Sequence, residues 1–324
     1  HSAEHSEIRY GLTTDIYFVR TREILDKLGL SKVPVTAEVF SQKSGVLAGV
    51  SEALHLFMDK HIKIWAVPEG EEFSSKEVVM RIEGPYDEFG MFETTILGFL
   101  ASSSGWATAA KIAKEAAGDK SVICFGARHV HPAVAPVMER AAIIGGVNGA
   151  SCILGAKLLG MEPSGTVPHA AFLIVGDSVK VAEAYDEFMP SDAPRIILVD
   201  TFKDEAEESL RVAKALGKRL AGIRLDTPGE RGGVTPHLVT EVRARLDQAG
   251  FEHIKILVSG GLYPEKIKAL SEAGAYSFGV GSFISQAQPI DMTLDLKEVS
   301  GKPIAKRGRI PGITHNKRLK LVQG

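Results

Sequence analysis

Apolar and polar residues alternate along 33–42, where Val33, Val35, Ala37 and Val39 fall on one side of an extended chain, so the spacing predicts a strand. Stretches 62–67 and 78–82 read as further strands. Residues 51–60 predict a short helix capped by Ser51, and 92–117 a long one closed by Gly118-Asp119. From Ser121 the pattern changes. Short apolar runs recur at 122–125, 149–153, 166–169, 196–199, 222–225, 256–258 and 277–280, each ending in polar or glycine residues. Helical stripes lie between the later runs. Leu210, Ala213, Leu216 and Leu220 form one; Leu238, Val242, Leu246 and Ala249 form another, with Thr235-Pro236 as cap and first residue and Gly250 as the stop. A third opens at Pro264, turns Ile267 and Leu270 inward and ends at Gly274.

Strands alternating with helices predict a parallel sheet. Seven such runs predict an α/β fold: an irregular, incomplete (β/α) barrel preceded by an N-terminal α/β sandwich domain. The expected division is 1–118 for the N-terminal domain, joined by the tail 291–324, and 119–290 for the barrel, which carries the active site. The tail loses the alternating pattern and is basic, with Lys302, Lys306, Arg307, Arg309, Lys317, Arg318 and Lys320.

The length of 324 residues agrees with two domains at roughly 150 residues each. A content of 44% hydrophobic and 24% charged residues is that of an ordinary globular protein. The 38 Lys and Arg nearly cancel the 40 Asp and Glu, which argues against a global grip on nucleic acid or an anionic membrane. Cys124 and Cys152 stand in apolar surroundings, unlike a disulfide framework or a zinc cage. No apolar run approaches the roughly 18 residues of a membrane span. A cytoplasmic location is the expectation.

In a barrel of this kind chemistry sits where the strands end. Those positions hold Gly126-Ala127-Arg128-His129, Pro168-His169, Asp200-Thr201, Asp226-Thr227, Ser259-Gly260-Gly261 and Gly279-Val280-Gly281-Ser282. Ser259, Gly260 and Gly261 precede a helix, so free amides and the positive helix end can face a phosphate; Gly279, Gly281 and Ser282 repeat the arrangement one strand later. Two tight turns that need glycine would look the same, and only their adjacency favours phosphate. Asp200 and Asp226 could hold ribose hydroxyls or a Mg-bound pyrophosphate, or simply cap helices. Arg224 lies two residues before Asp226, on the same face of its strand. Arg128 suits a carboxylate or phosphate, whereas Arg140, next to Glu139 inside a helix, suits a salt bridge. His129 and His131 have metal-ligand spacing, but no Cys or Glu completes a set, so no metal site is predicted by direct spacing. His169 is a satisfied structural residue on spacing alone; at an active rim it would be a general acid or a nucleophile.

Laid out in order, these residues resemble the nicotinate phosphoribosyltransferases of the type II phosphoribosyltransferase fold. The resemblance runs through Thr14-Asp15-Ile16-Tyr17, Phe125-Gly126-Ala127-Arg128, Gly145-Gly146 with Gly149-Ala150-Ser151, Gly165-Thr166-Val167-Pro168-His169, Val199-Asp200-Thr201, Arg224-Leu225-Asp226, Ser259-Gly260-Gly261-Leu262 and Phe278-Gly279-Val280-Gly281. It implies that nicotinate attacks phosphoribosyl pyrophosphate to give nicotinate mononucleotide and pyrophosphate in NAD salvage, coupled to hydrolysis of ATP as co-substrate, with Mg2+ carried by both phosphate substrates. That is an ATP-coupled ligase and pentosyltransferase. It also implies a homodimer or higher oligomer with shared active sites. Within it, His169 is the transient phosphohistidine, Phe125 stacks on the pyridine, Tyr17 of a second copy covers the other face, and Arg224 lies near the ring. Thr166 is a substrate-side residue, Asp200 and Asp226 are the catalytic carboxylates, and Arg128 is the cation nearest the base. Ser151 stands where nicotinamide-using relatives carry an aspartate, and a serine hydroxyl can donate to a carboxylate, which favours nicotinate. Gly260, Gly261, Gly279 and Gly281 form the 5′-phosphate cradle.

The sequence departs from that family after Asp226, where Thr227-Pro228-Gly229-Glu230 replaces Ser-Gly-Asp, and at His129-Val130-His131-Pro132, which replaces a second arginine. The decarboxylating quinolinate phosphoribosyltransferase is the alternative enzyme. A non-catalytic phosphate-ligand sensor on the same fold is the alternative of another class.

Overall fold

The computed structural model describes residues 2–324 and divides into two compact units: one of residues up to 108 together with 287–324, the other of 109–286. In the first unit six strands form an antiparallel sheet in the order Lys302–Pro303, Met292–Val299, Pro34–Ser41, Val78–Pro85, Lys63–Ala66, Lys320–Gln323. The tail is therefore patterned after all: Met292–Val299 pairs antiparallel with Val35 to Ser41. Val35, Ala37, Val39, Ile64, Met80 and Ile82 build the core, with Phe57, Phe92, Ile96 and Leu100 packed in the same cluster.

The short helix of this unit begins at Val50 rather than Ser51 and ends at Leu56. Gly49 caps it with φ +91°, and a Cβ there would lie 2.5 Å from the Phe99 carbonyl oxygen, so the chain turns on a glycine and not on the serine side chain. The long helix is Glu93–Ala117.

The second unit carries six parallel strands, β1 (Ser121–Cys124), β2 (Gly149–Ala150), β3 (Ile196–Leu198), β4 (Gly222–Leu225), β5 (Lys255–Ser259) and β6 (Ser277–Val280), in the order β2-β1-β6-β5-β4-β3. The expected incomplete barrel is present. Hydrogen bonds do not close it, because β2 and β3 are the two edges of the sheet. The seventh expected strand, 166–169, does not form. Residues 161–168 have no regular structure, and the helix His169–Val175 starts directly after them. Pro168 brings no N–H to a ladder, which suits the N-cap position it takes instead. Asp204 and Thr235 cap Glu205–Leu216 and Pro236–Gln248 through their side chains, and Pro264–Glu272 follows β5. Among the described residues no helix is long and apolar enough to cross a membrane.

One titration follows from the packing of the first unit. Burial, reinforced by Asp295, pushes the Glu93 carboxyl up from 4.5 to about 7. The folded state then holds this proton more tightly than the unfolded chain. Its contribution is complete below about 4.5 and is lost as pH rises through about 7. Denaturant titrations from pH 5 to 8.5 are expected to show Glu93→Gln losing less stability than the unsubstituted protein over that interval; parallel curves would exclude the assignment.

Candidate active site

A cavity of about 450 Å³ opens at the carboxyl ends of the parallel strands. The parallel register explains why. Val258 pairs with Leu225 and Phe278, and Val280 pairs with Cys124, so the residues that follow these positions emerge on one edge of the sheet. The wall gathers Phe125, Arg128, Ser151, Thr166, Arg224, Asp226, Ser259, Gly260, Gly261, Gly279, Gly281 and Ser282, and adds His129 and Pro168. Three expected site residues do not line it: His169, Asp200 and Tyr17. Tyr17 belongs to the helix Ile16–Leu28 of the first unit and is 55% exposed.

Phe125 leaves β1 with its amide donating to the Val280 carbonyl at 2.8 Å. Its ring lies where a side chain on β6 would stand, since a Cβ on Gly279 would fall 2.3 Å from Phe125 Cε2. Gly281 is similarly constrained: a Cβ there would fall 2.8 Å from His129 Cε1. The glycines of this turn thus make room for an aromatic ring and an imidazole. Gly260 and Gly261 have φ of +89° and +59°, and a Cβ on Gly260 would fall 2.8 Å from Asp226 Oδ1. The positive φ selects glycine at both positions and the close approach of Asp226 at Gly260 alone, and neither backbone amide has a hydrogen-bond partner among the described residues.

Asp226 follows β4. Its Oδ1 accepts from Ser259 Oγ at 2.8 Å, and its Oδ2 lies 3.7 Å from the Arg224 guanidinium. Arg224 also donates to Thr166 Oγ1 at 2.5 Å. Burial lowers the Arg224 pKa, while Asp226 and Asp200 pull it back up. Asp200 sits beneath this pair with a fully buried side chain. Its Oδ2 accepts the Asp226 amide at 3.1 Å, and its Oδ1 lies 3.3 Å from His169 Nε2. Burial raises the Asp200 pKa, opposed by His169. Asp200 therefore fixes the backbone of Asp226 and orients His169. Arg128, on the turn Ala127–His129, is exposed and has neither an ion-pair nor a hydrogen-bond partner among the described residues. It is free for an anionic ligand, and its neighbour His129 approaches Ser285 Oγ at 3.3 Å through Nδ1.

Sequence reasoning missed Glu139 beyond its place beside Arg140. It is fully buried on the helix Ala135–Ile144, where Ser151 Oγ donates to its Oε1 at 2.8 Å and the Cys152 amide to its Oε2 at 2.6 Å. The signal was present as a lone acid on the apolar face made by Met138, Ala141 and Ala142. The bond also corrects the expectation for Ser151. Its proton is committed to Glu139, so it turns lone pairs rather than a donor toward the cavity.

The model of the quinolinate phosphoribosyl transferase N-terminal domain matches residues 15–104, and that of the C-terminal domain matches residues 106–295. The chain belongs to the quinolinate phosphoribosyl transferase family. A solved structure described as nicotinate-nucleotide pyrophosphorylase from Pyrococcus furiosus is 46% identical with a TM-score of 0.92, covering 97% of this chain and 82% of that one. A probable carboxylating nicotinate-nucleotide pyrophosphorylase of Methanothermobacter thermautotrophicus is 22% identical over 90% of this chain and 98% of its own length. Nicotinate phosphoribosyltransferase pncB2 of Mycobacterium tuberculosis is 31% identical over 248 residues, 74% of this chain. The chain spans about half the length of that relative, 52%.

Membership of the quinolinate phosphoribosyl transferase family overturns the resemblance to nicotinate phosphoribosyltransferase as the family assignment. With it fall nicotinate as the base, ATP as co-substrate, the ligase activity and the phosphohistidine role of His169. The misreading has a physical origin. The motifs that carried it are strand-end motifs, most of which the resemblance assigned to the phosphoribosyl half of a substrate, and that half does not distinguish one pyridine base from another.

A substitution tests the packing of this site. Gly279→Ala is expected to cost about 1–3 kcal/mol by forcing the Phe125 ring away. Adding Phe125→Ala to it should restore part of that loss in thermal melts. Strict additivity of the two changes would show that the ring does not depend on Gly279.

Proposed function

We propose that this chain is a quinolinate phosphoribosyltransferase, a nicotinate-nucleotide pyrophosphorylase working in the decarboxylating direction, and that residues 119–290 carry its site. The observation that carries the reading is the ordered match of both family domains along the chain. The unpaired Arg128 beside an aromatic face supports it, because quinolinate is a planar ring with two carboxylates.

In this reading the pyridine stacks on Phe125, and Arg128 takes a carboxylate as a bidentate partner. The amides of Gly260, Gly261 and Gly281, with Ser282, hold phosphate groups of phosphoribosyl pyrophosphate, whereas Gly279 sits within a paired strand and the Ser259 hydroxyl is committed to Asp226. The ring nitrogen attacks C1 of the ribose as the C1–O bond to pyrophosphate breaks. Positive charge that builds on the ribose faces Asp226, whose position Asp200 and Ser259 fix. The carboxylate next to the ring nitrogen then leaves as CO2, and the electron pair left on that carbon takes up a proton. The Oδ2 of Asp226 lies beyond hydrogen-bond reach of Arg224, so Asp226 would be the residue to hold a Mg2+ ion brought by phosphoribosyl pyrophosphate. Such an ion would neutralise charge on the departing pyrophosphate.

Assays with phosphoribosyl pyrophosphate and Mg2+ should show turnover of quinolinate with release of CO2 and no response to ATP. Turnover of nicotinate without turnover of quinolinate would overturn the reading. Arg128→Ala is expected to raise KM for quinolinate about 100-fold, equivalent to roughly 3 kcal/mol, with a smaller effect on KM for phosphoribosyl pyrophosphate.

A homodimer in which the exposed Tyr17 of a second copy completes the cavity belongs to the same proposal. Mixing Tyr17→Ala with Asp226→Ala, each inactive alone, should then restore turnover as subunits exchange. No recovery in a demonstrated mixed oligomer would remove Tyr17 from the site.

A further inference from the structure

Phe125 and Ser151 stand side by side. Cys124 pairs with Ala150 in the parallel register of β1 and β2, and the Ser151 amide donates to the Cys124 carbonyl at 3.1 Å. Neighbouring strands lie about 4.8 Å apart, so a carboxylate on a ring stacked against Phe125 is within reach of Ser151 Oγ. That hydroxyl already donates its single proton to Glu139. A carboxylate arriving there would meet lone pairs, backed by a second carboxylate that has no exposure to water.

We infer that Glu139 and Ser151 form a proton relay for the base: when a pyridine carboxylate binds, Glu139 takes one proton from solvent and donates it to Ser151 Oγ, and Ser151 turns its own hydroxyl proton to the substrate carboxylate. The inference rests on the functional reading above. The balance is one proton taken up per base bound. No covalent bond to carbon forms or breaks in this step, and the oxygen–oxygen hydrogen bond is kept with its direction reversed.

Glu139 is built for this exchange. Its Oε1 keeps a hydroxyl partner in either state, and its Oε2 keeps the Cys152 amide. Burial raises its pKa, opposed by the hydrogen bonds from Cys152, Ser151 and Ala127, so the proton is accessible. None of these donors is a cation that would hold the carboxylate ionised. The titratable or charged groups on its own helix and on the elements packed around it are Cys124, Arg128, His129, Arg140, Cys152 and Lys157. Burial, reinforced by Glu139, pushes the Cys124 thiol up to about 12, so it stays neutral through the range in question. The carboxylate also joins both loops of the base wall, and a Cβ on Gly155 would fall 3.1 Å from Glu139 Cβ, so the next helix is packed tightly against it. Glu139 is thus a positioning residue that acts through Ser151 and sets which hydrogen-bond polarity the cavity shows.

Two measurements on the full chain test this. Calorimetry of quinolinate binding in two buffers of different ionisation enthalpy should show uptake approaching one proton per base. KM for quinolinate at saturating phosphoribosyl pyrophosphate should rise with pH by up to about tenfold per unit above the Glu139 titration. Glu139→Gln retains an acceptor for Cys152 and supplies a fixed donor to Ser151, so it should flatten that rise and abolish the uptake while binding persists at high pH. Ser151→Ala, which leaves Glu139 in place, should raise KM at low pH and also lose the uptake. Turnover of quinolinate with no uptake, or with the same KM profile in Glu139→Gln, would overturn the relay and leave the enzyme assignment standing. Absence of turnover with any pyridine carboxylate would overturn the assignment and the relay together.

Discussion

Parallel pairing in register, from Ser121↔Ser277 through Leu257↔Arg224, brings the ends of β1, β4, β5 and β6 to one edge, and every chemical feature of the cavity depends on that alignment. A shift of one residue would turn each side chain to the opposite face. Phe125 would then leave Gly279, and Asp226 would leave Ser259. The glycines protect this arrangement, since a methyl group at 260 or 279 would collide with Asp226 or with Phe125.

The second constraint is the burial of acids behind the wall. Asp200 and Glu139 are both removed from water, and both spend their oxygens on the backbone of a neighbouring loop: Asp226 in one case, Cys152 in the other. Burying a carboxylate costs stability unless it is hydrogen-bonded. Here the cost is offset by fixing the loops that present Asp226 and Ser151. The result is a cavity with one anionic side, made by Asp226 over Asp200, and an arginine, Arg128, that has no partner among the described residues. That polarity suits a substrate whose ribose becomes positive while its base stays anionic.

Much of this was legible along the chain. Residues just beyond apolar runs became the cavity wall because the strands are parallel, so that sequence position and spatial position coincide. Arg128, Asp226, Ser259-Gly260-Gly261 and Gly281-Ser282 were found this way, whereas Phe125 came only from the resemblance. The reading failed where local pattern and long-range packing diverge. Residues 166–169 have the composition of a strand, but the unit leaves them outside its sheet. Glu139 entered only as the neighbour of Arg140, for which a salt bridge was the expectation, because nothing in its neighbours along the chain announces Ser151 and Cys152. The family escaped for a related reason: the strand-end motifs are contiguous along the chain, whereas Phe125, Arg128, Ser151 and Thr166 reach the cavity from separate loops.

The sequence alone determined most of the strand and helix periodicity, the parallel barrel and the rim on which the cavity opens. These are properties of spacing along one chain. Only the tertiary structure decided which rim residues face the cavity, which of two acids lies behind the other, and where the Ser151 proton points. Those depend on contacts between residues as far apart as Asp200 and Asp226, or Glu139 and Ser151, and on burial that no local pattern encodes.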